Sequence, residues 1–132
     1  MRAKEHMPFG WWVKQFVEKA SDVTEFCMDP REELFYDPMH GFICVTFSND
    51  MKQMYVTKGC GDFIWWLRGQ GGALFYEAHG RYGTELIMHT QRRPEAMARL
   101  INGEIFDMRA GRNGKPKYFI RSADPLRICE EV

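Results

Sequence analysis

Residues 68–73 read Arg68-Gly69-Gln70-Gly71-Gly72-Ala73, and this run constrains the chain more than any other. Three glycines in four positions permit a tight turn and leave backbone amides unshielded by side chains. A short apolar run, Phe63-Ile64-Trp65-Trp66-Leu67, leads into it, and Leu74-Phe75-Tyr76-Glu77-Ala78 follows. A continuous apolar run of this length suits a strand buried on both faces. The segment after the glycines suits a short helix ended by Gly80 or Gly83. Amides exposed where a strand turns into a helix form a positive cradle for a pyrophosphate. The same glycines also serve an ordinary turn with no ligand.

The rest of the chain supplies the elements around this run. Apolar residues recur at three-and-four spacing from Trp12 through Phe16, Ala20 and Val23 to Cys27, which predicts an amphipathic helix over 11–28, ended by Asp29-Pro30. Glu32 to Tyr36 reads as one more helical turn, stopped by Asp37-Pro38. Gly41 to Phe47 and Gln53 to Thr57 read as a hairpin across Ser48-Asn49-Asp50. Glu85 to His89 is a strand. Pro94 opens a helix that Asn102-Gly103 closes. Glu104 to Met108 and Lys117 to Arg121 form a second hairpin across Asn113-Gly114. Strands with interleaved helices predict an α/β or α+β fold: a mixed, mostly antiparallel twisted sheet with helices on both faces. The 132 residues suit a single domain, with the sheet and the glycine run over 41–121.

Composition narrows the class of function. Hydrophobic residues make up 45% and charged residues 27%, which excludes a disordered chain. The formal net charge is zero, which argues against nucleic acid as a partner. Charge is uneven, however, and the basic second half suits an anionic small ligand or a solvated surface. No apolar run approaches the roughly 18 residues of a membrane span, and the opening segment lacks the pattern of a secretory signal. Cys27, Cys44, Cys60 and Cys129 show no C-x-x-C spacing. Reduced thiols, a cytoplasmic location and no metal site are therefore expected. Each tryptophan pair, Trp11-Trp12 and Trp65-Trp66, sends one ring to the core and leaves the other able to anchor a partner.

The order of elements, with Arg68, Gly71 and Ala73 in the pattern Arg/Gln-x-x-Gly-x-Gly/Ala, resembles the GNAT superfamily of N-acetyltransferases. Arg92 to Phe106 resembles that family's last helix running into its Gly-x-x-Phe strand, and the likeness covers roughly 41–121. The resemblance implies an acetyl-CoA-binding protein that acetylates an unidentified amine. It also implies that Leu67, Arg68, Gly69, Gln70, Gly71, Gly72 and Ala73 contact the acetyl-CoA and that the preceding strand splays to admit the acetyl arm. Cys44-Val45-Thr46-Phe47-Ser48 and Gly59-Cys60-Gly61-Asp62 are similar to GNAT-like proteins of short-tailed bacteriophages. That likeness implies the alternative of a non-catalytic phage protein, in the host cytoplasm or the virion, that binds a host or virion partner.

The candidate catalytic residues are Glu85 and His89 as bases and Tyr118 as the acid, with Glu77 and Tyr76 as further candidates. The resemblance also implies a carboxylate base on or near the strand before the loop, and Asp62 is the nearest. Arg92 and Arg93 are candidates for the adenosine phosphates, and Cys60 with His79 or His89 is a weaker nucleophile pairing. The helix from Pro94 carries no tyrosine; Arg99 and Leu100 stand where the family places its acid. A third reading is an unrelated α+β binding module whose glycine run is only a turn.

Overall fold

The computed structural model describes residues 2–19 and 25–125. Its elements run α1 (Phe9–Lys19), β1 (Glu33–Asp37), β2 (Gly41–Phe47), β3 (Gln53–Gly61), α2 (Phe63–Arg68), α3 (Gln70–Tyr82), β4 (Glu85–Thr90), α4 (Pro94–Leu100), β5 (Glu104–Ala110) and β6 (Pro116–Ser122). The six strands form one sheet in the order β1-β2-β3-β4-β6-β5. All neighbours are antiparallel except β3 and β4. The expected mixed, mostly antiparallel α/β sheet with helices on both faces is what the chain forms.

Strand alternation divides the core into two layers. Ile43, Val45, Met54, Leu86, Met88 and Ile120 face α2, α3 and α4, where Trp66, Phe75, Ala98 and Ile101 meet them. Phe42 and Cys44, on the other face, pack under α1 against Trp12 and Phe16. The loop 38–40 joins these layers. The Trp12 indole donates to Pro38 O at 3.1 Å, and the Trp66 indole and the Asp62 amide donate to His40 O at 3.3 and 3.0 Å. One tryptophan of each pair is thus in the core, as expected, while Trp65 lies outside and stacks on His40 at 4.0 Å.

Several elements differ from the sequence reading, among them β3, which runs past Thr57 to Gly61. The first helix covers Phe9–Lys19, Ala20 and Val23 lie outside the described residues, and residues 25–28 are not helical, so the helix expected over 11–28 does not reach its end. Phe26 meets Phe9 at 5.7 Å between ring centroids. Residues 33–37 form edge strand β1 rather than a helical turn, paired with β2 from Glu33↔Val45 to Asp37↔Gly41. Leu34, Phe35 and Tyr36 favour a pleated surface once a partner strand is present.

Another difference bears on function. Phe63 to Arg68 is helix α2, not a buried strand. The Asp62 side chain caps it, accepting from the Trp65 amide at 3.2 Å. Phe63, Ile64, Trp66 and Leu67 then all reach the apolar layer from adjoining turns of the helix. Six residues are too few for period 3.6 to separate from a continuous run.

The glycine run is therefore an elbow between two helices. Gly69 ends α2 and precedes α3, and Gly71 and Gly72 are buried inside the first turn of α3. A Cβ on Gly72 would stand 1.7 Å from Leu67 O, so the two helices approach through bare backbone. Gly80, later in the same helix, has nothing within 4 Å of its Cβ position. Gly72→Ala is expected to destabilise the fold by about 2 kcal/mol through overpacking. Gly80→Ala should stabilise it by about 0.5–1 kcal/mol. Urea denaturation of both variants checks the opposite signs.

Candidate active-site cleft between two parallel strands

Parallel strands β3 and β4 pair only at Gln53↔Glu85, Met54↔Leu86 and Tyr55↔Ile87. Beyond that point β3 continues alongside β2 to Gly61, and β4 continues alongside β6 to Thr90. The facing edges of the two strands make no ladder with each other there. A bulge marks the point of parting, because Val56 lies opposite Val45 and Lys58 opposite Cys44, leaving Thr57 as an extra residue. Bulges bend and twist a strand locally, which turns β3 away from β4.

A cavity of about 770 Å³ fills the wedge. Val56, Trp66, Met88 and Met97 line it from the α2–α4 side, and Phe16, Phe42 and Cys60 line it from the α1 side. The gap therefore reaches both faces of the sheet. His89 crosses it, with Nε2 3.3 Å from Thr57 O. A carbonyl only accepts, so Nε2 is the donor in this contact.

Charge is held firmly on the α1 side. Lys58 Nζ lies 2.6 and 2.8 Å from the Glu32 carboxylate oxygens, and Thr57 Oγ1 donates to the same group at 2.5 Å. Both side chains of the ion pair are largely buried. Burial pushes the Glu32 carboxyl up, but the bonds from Lys58 and Thr57 outweigh it and leave the group below its usual range. The thiols go the other way. Burial raises Cys60 and pushes Cys44 up to about 11, while the hydrogen bond to Glu25 raises Cys27. No thiolate stands ready at Cys60, and His79 is engaged elsewhere, its Nδ1 donating to Thr84 O at 2.8 Å.

The sequence candidates scatter across this geometry. His89 lines the cleft. Glu85 begins β4 in its paired part, about 13 Å along the strand from His89. Tyr118 pairs with Thr90 on β6 and lies on the α4 face, with Ile120, whereas His89 and Phe119 occupy the opposite face. These three are not brought together. Tyr76 donates to Asp124 at 2.7 Å, and Glu77 pairs with Arg81 at 3.5 Å on the surface. Arg92 reaches the rim of the cavity and Arg93 begins α4. Leu67 is in the core, Arg68 ends α2, and residues 69–73 lie beyond that helix, which separates them from the end of β3. Helix α3, at 13 residues, is longer than the sequence suggested, because Gly71 and Gly72 join it and Gly83 ends it in the left-handed conformation.

No family model matches the sequence, and no curated protein matches it. The fold does have matches. A protein described as an N-acetyltransferase from Lactobacillus plantarum superposes with a TM-score of 0.58 at 16% identity, covering 86% of this chain and 88% of that one. The chain has the GNAT acetyltransferase fold. Aminoglycoside 6'-acetyltransferase type Ii superposes at 0.53 with 15% identity, covering 84% and 81% of the two chains. An aminoglycoside 6'-N-acetyltransferase complexed with coenzyme A gives 0.52 at 10% identity, covering 84% and 88%. In this GNAT fold the splaying strand is β3 rather than residues 63–67. The segment that follows it is Gly61-Asp62-Phe63, with the Asp62 carboxylate already occupying the Trp65 amide.

The Glu32–Lys58 pair yields a test of this description. A carboxylate held low in the fold contributes stability above its unfolded pKa of about 4.3, and that contribution is lost as pH falls through the lower folded value. Glu32→Gln should therefore cost about 2 kcal/mol near pH 7, where it leaves Lys58 uncompensated. The difference from wild type should shrink below pH 4. Thermal melts of both proteins across that range measure it.

Proposed function

We propose that the chain binds acetyl-CoA with its thioester arm in the β3–β4 cleft and transfers the acetyl group to an amine. The observation that carries this reading is the parting of two parallel strands around a cavity open to both faces of the sheet. An extended arm with two amide groups can occupy such a gap by adding to the free edges of the strands, much as a further strand would. Access from both faces lets donor and acceptor meet from opposite sides. Trp66, which lines the gap, packs into the α2–α4 layer, as does Phe75.

The chemistry asks little of the protein beyond positioning. A neutral amine nitrogen attacks the thioester carbon, the edge amides of β3 that face β4 stabilise the developing oxyanion, and the C–S bond breaks to release CoA. His89 is the side chain in the cleft suited to take the amine proton. Arg92, at the end of β4, would meet the phosphates of the nucleotide. The position of Asp62 and the absence of tyrosine from Pro94–Leu100 favour a second reading, in which the cleft binds without transferring and the protein acts through a partner.

Calorimetry separates these readings. One-to-one micromolar binding of acetyl-CoA is expected, and Met88→Trp, which fills the cleft, should weaken it by about tenfold or more. If instead Arg68→Ala weakens binding and Met88→Trp does not, the donor lies at the helix elbow and the cleft reading fails. With an acceptor present, thiol release should fall about 100-fold in His89→Ala, with little change in acetyl-CoA affinity. Binding without thiol release from any amine would establish the second reading.

A further inference from the structure

Resting on the cleft reading above, we propose that Glu32 is a positioning residue. Its carboxylate clamps the Thr57 bulge, and through the bulge it sets both the opening between β3 and β4 and the seat of His89. Glu32 lies just before β1 and is not among the described residues that line the cavity, so it acts through the strand rather than on a ligand. Its carboxylate is nevertheless engaged at both oxygens. Oε1 accepts from the Asp29 amide at 3.0 Å and from Lys58 Nζ at 2.8 Å. Oε2 accepts from Thr57 Oγ1 at 2.5 Å and from Lys58 Nζ at 2.6 Å. The Glu32 side chain keeps only 7% of its surface exposed. Hydrogen bonds to a charged acceptor are the strong kind, and burial protects them from screening.

The clamp fits a bulge. Successive side chains of a regular strand point to opposite faces, so one carboxylate does not meet two neighbours in a row. Here Thr57 and Lys58 both reach Glu32. The phase of β3 records the same shift. Met54 and Val56 face the α2–α4 layer, and strict alternation would send Lys58 and Cys60 there too. Instead Cys60 packs under α1, and the Lys58 ammonium lies 5.9 Å from the centroid of the Phe26 ring in that layer. An inserted residue disrupts the ladder locally, so the ladder does not fix where the strand bends. The Glu32 contacts do.

The clamped residue faces the cleft as well. Extending the β3–β4 register beyond Tyr55↔Ile87 would set Val56 against Met88 and Thr57 against His89. The strands part at that step, and His89 spans the gap, its Nε2 donating to Thr57 O at 3.3 Å. Thr57 thus offers its hydroxyl to Glu32 and its carbonyl to the imidazole. Supporting contacts of this kind hold a site residue in productive geometry, and a displacement of about 1 Å is enough to cost a large factor.

The test uses the full chain and three substitutions. Thr57→Val keeps the shape and the Glu32–Lys58 pair but removes the hydroxyl, whereas Thr57→Ser keeps the hydroxyl. Ser122→Ala removes a buried bond to Ile101 O beside the paired end of β4, and controls for lost stability alone. Two properties are measured where every variant is folded. One is acetyl-CoA affinity by calorimetry. The other is the His89 ring resonance of the ligand-free protein by NMR, assigned against His89→Gln. Thr57→Val should weaken acetyl-CoA binding by about tenfold and move the His89 resonance. Thr57→Ser should stay close to wild type in both, and Ser122→Ala should change neither. Wild-type affinity or an unmoved His89 resonance in Thr57→Val overturns the proposal, whatever the loss of stability. So does failure of Thr57→Ser to restore them, or an equal effect of Ser122→Ala. If acetyl-CoA does not bind even the wild type, the donor reading falls and the His89 resonance alone decides. Moved in Thr57→Val and restored in Thr57→Ser, it sustains the clamp; unmoved, it overturns it.

Discussion

Three residue pairs hold β3 against β4, and the separation that follows them shapes the rest of the molecule. Parallel neighbours need a crossover, and here it is the α2–α3 pair, covering one face of the sheet. Had the two strands stayed paired to their ends, their edge groups would satisfy one another and no cavity would exist. Instead the Thr57 bulge turns β3 toward β2. Each strand keeps an outer partner for its backbone groups, and only the inner edges are given up. The cost is borne where a ligand could repay it.

The glycine elbow serves this arrangement from a distance. Gly72 lets α3 start against the Leu67 carbonyl, so a six-residue helix and a thirteen-residue helix fit within one crossover. Trp66, on the first of these helices, then reaches the floor of the cleft while its indole donates to His40 O in the β1–β2 loop. The glycines thus matter to the site through packing, a role their spacing also fits.

Much of the architecture was legible in the sequence because it is written locally. Pro94 at the start of α4, the Asn113-Gly114 turn and the alternation of β2 each depend on neighbours within a few residues. The errors fall where a distant contact decides. Phe63 to Leu67 has the composition of a buried strand, and only the Asp62 cap, one residue before it, marks a helix start. Residues 33–37 become a strand because β2 is beside them. Of the site, His89 was legible as a polar residue on an apolar strand. The Glu32–Lys58 pair joins residues far apart in the chain and leaves no local signature. The cleft itself is a property of strand register, which a single sequence does not state.

Hydrogen–deuterium exchange, with and without acetyl-CoA, tests the central claim that the parted strands are the donor site. The account predicts slowed exchange at amides of residues 56–61 and 88–90, with residues 68–73 unchanged. Protection confined to residues 68–73, with none along the edges of β3 and β4, would contradict it.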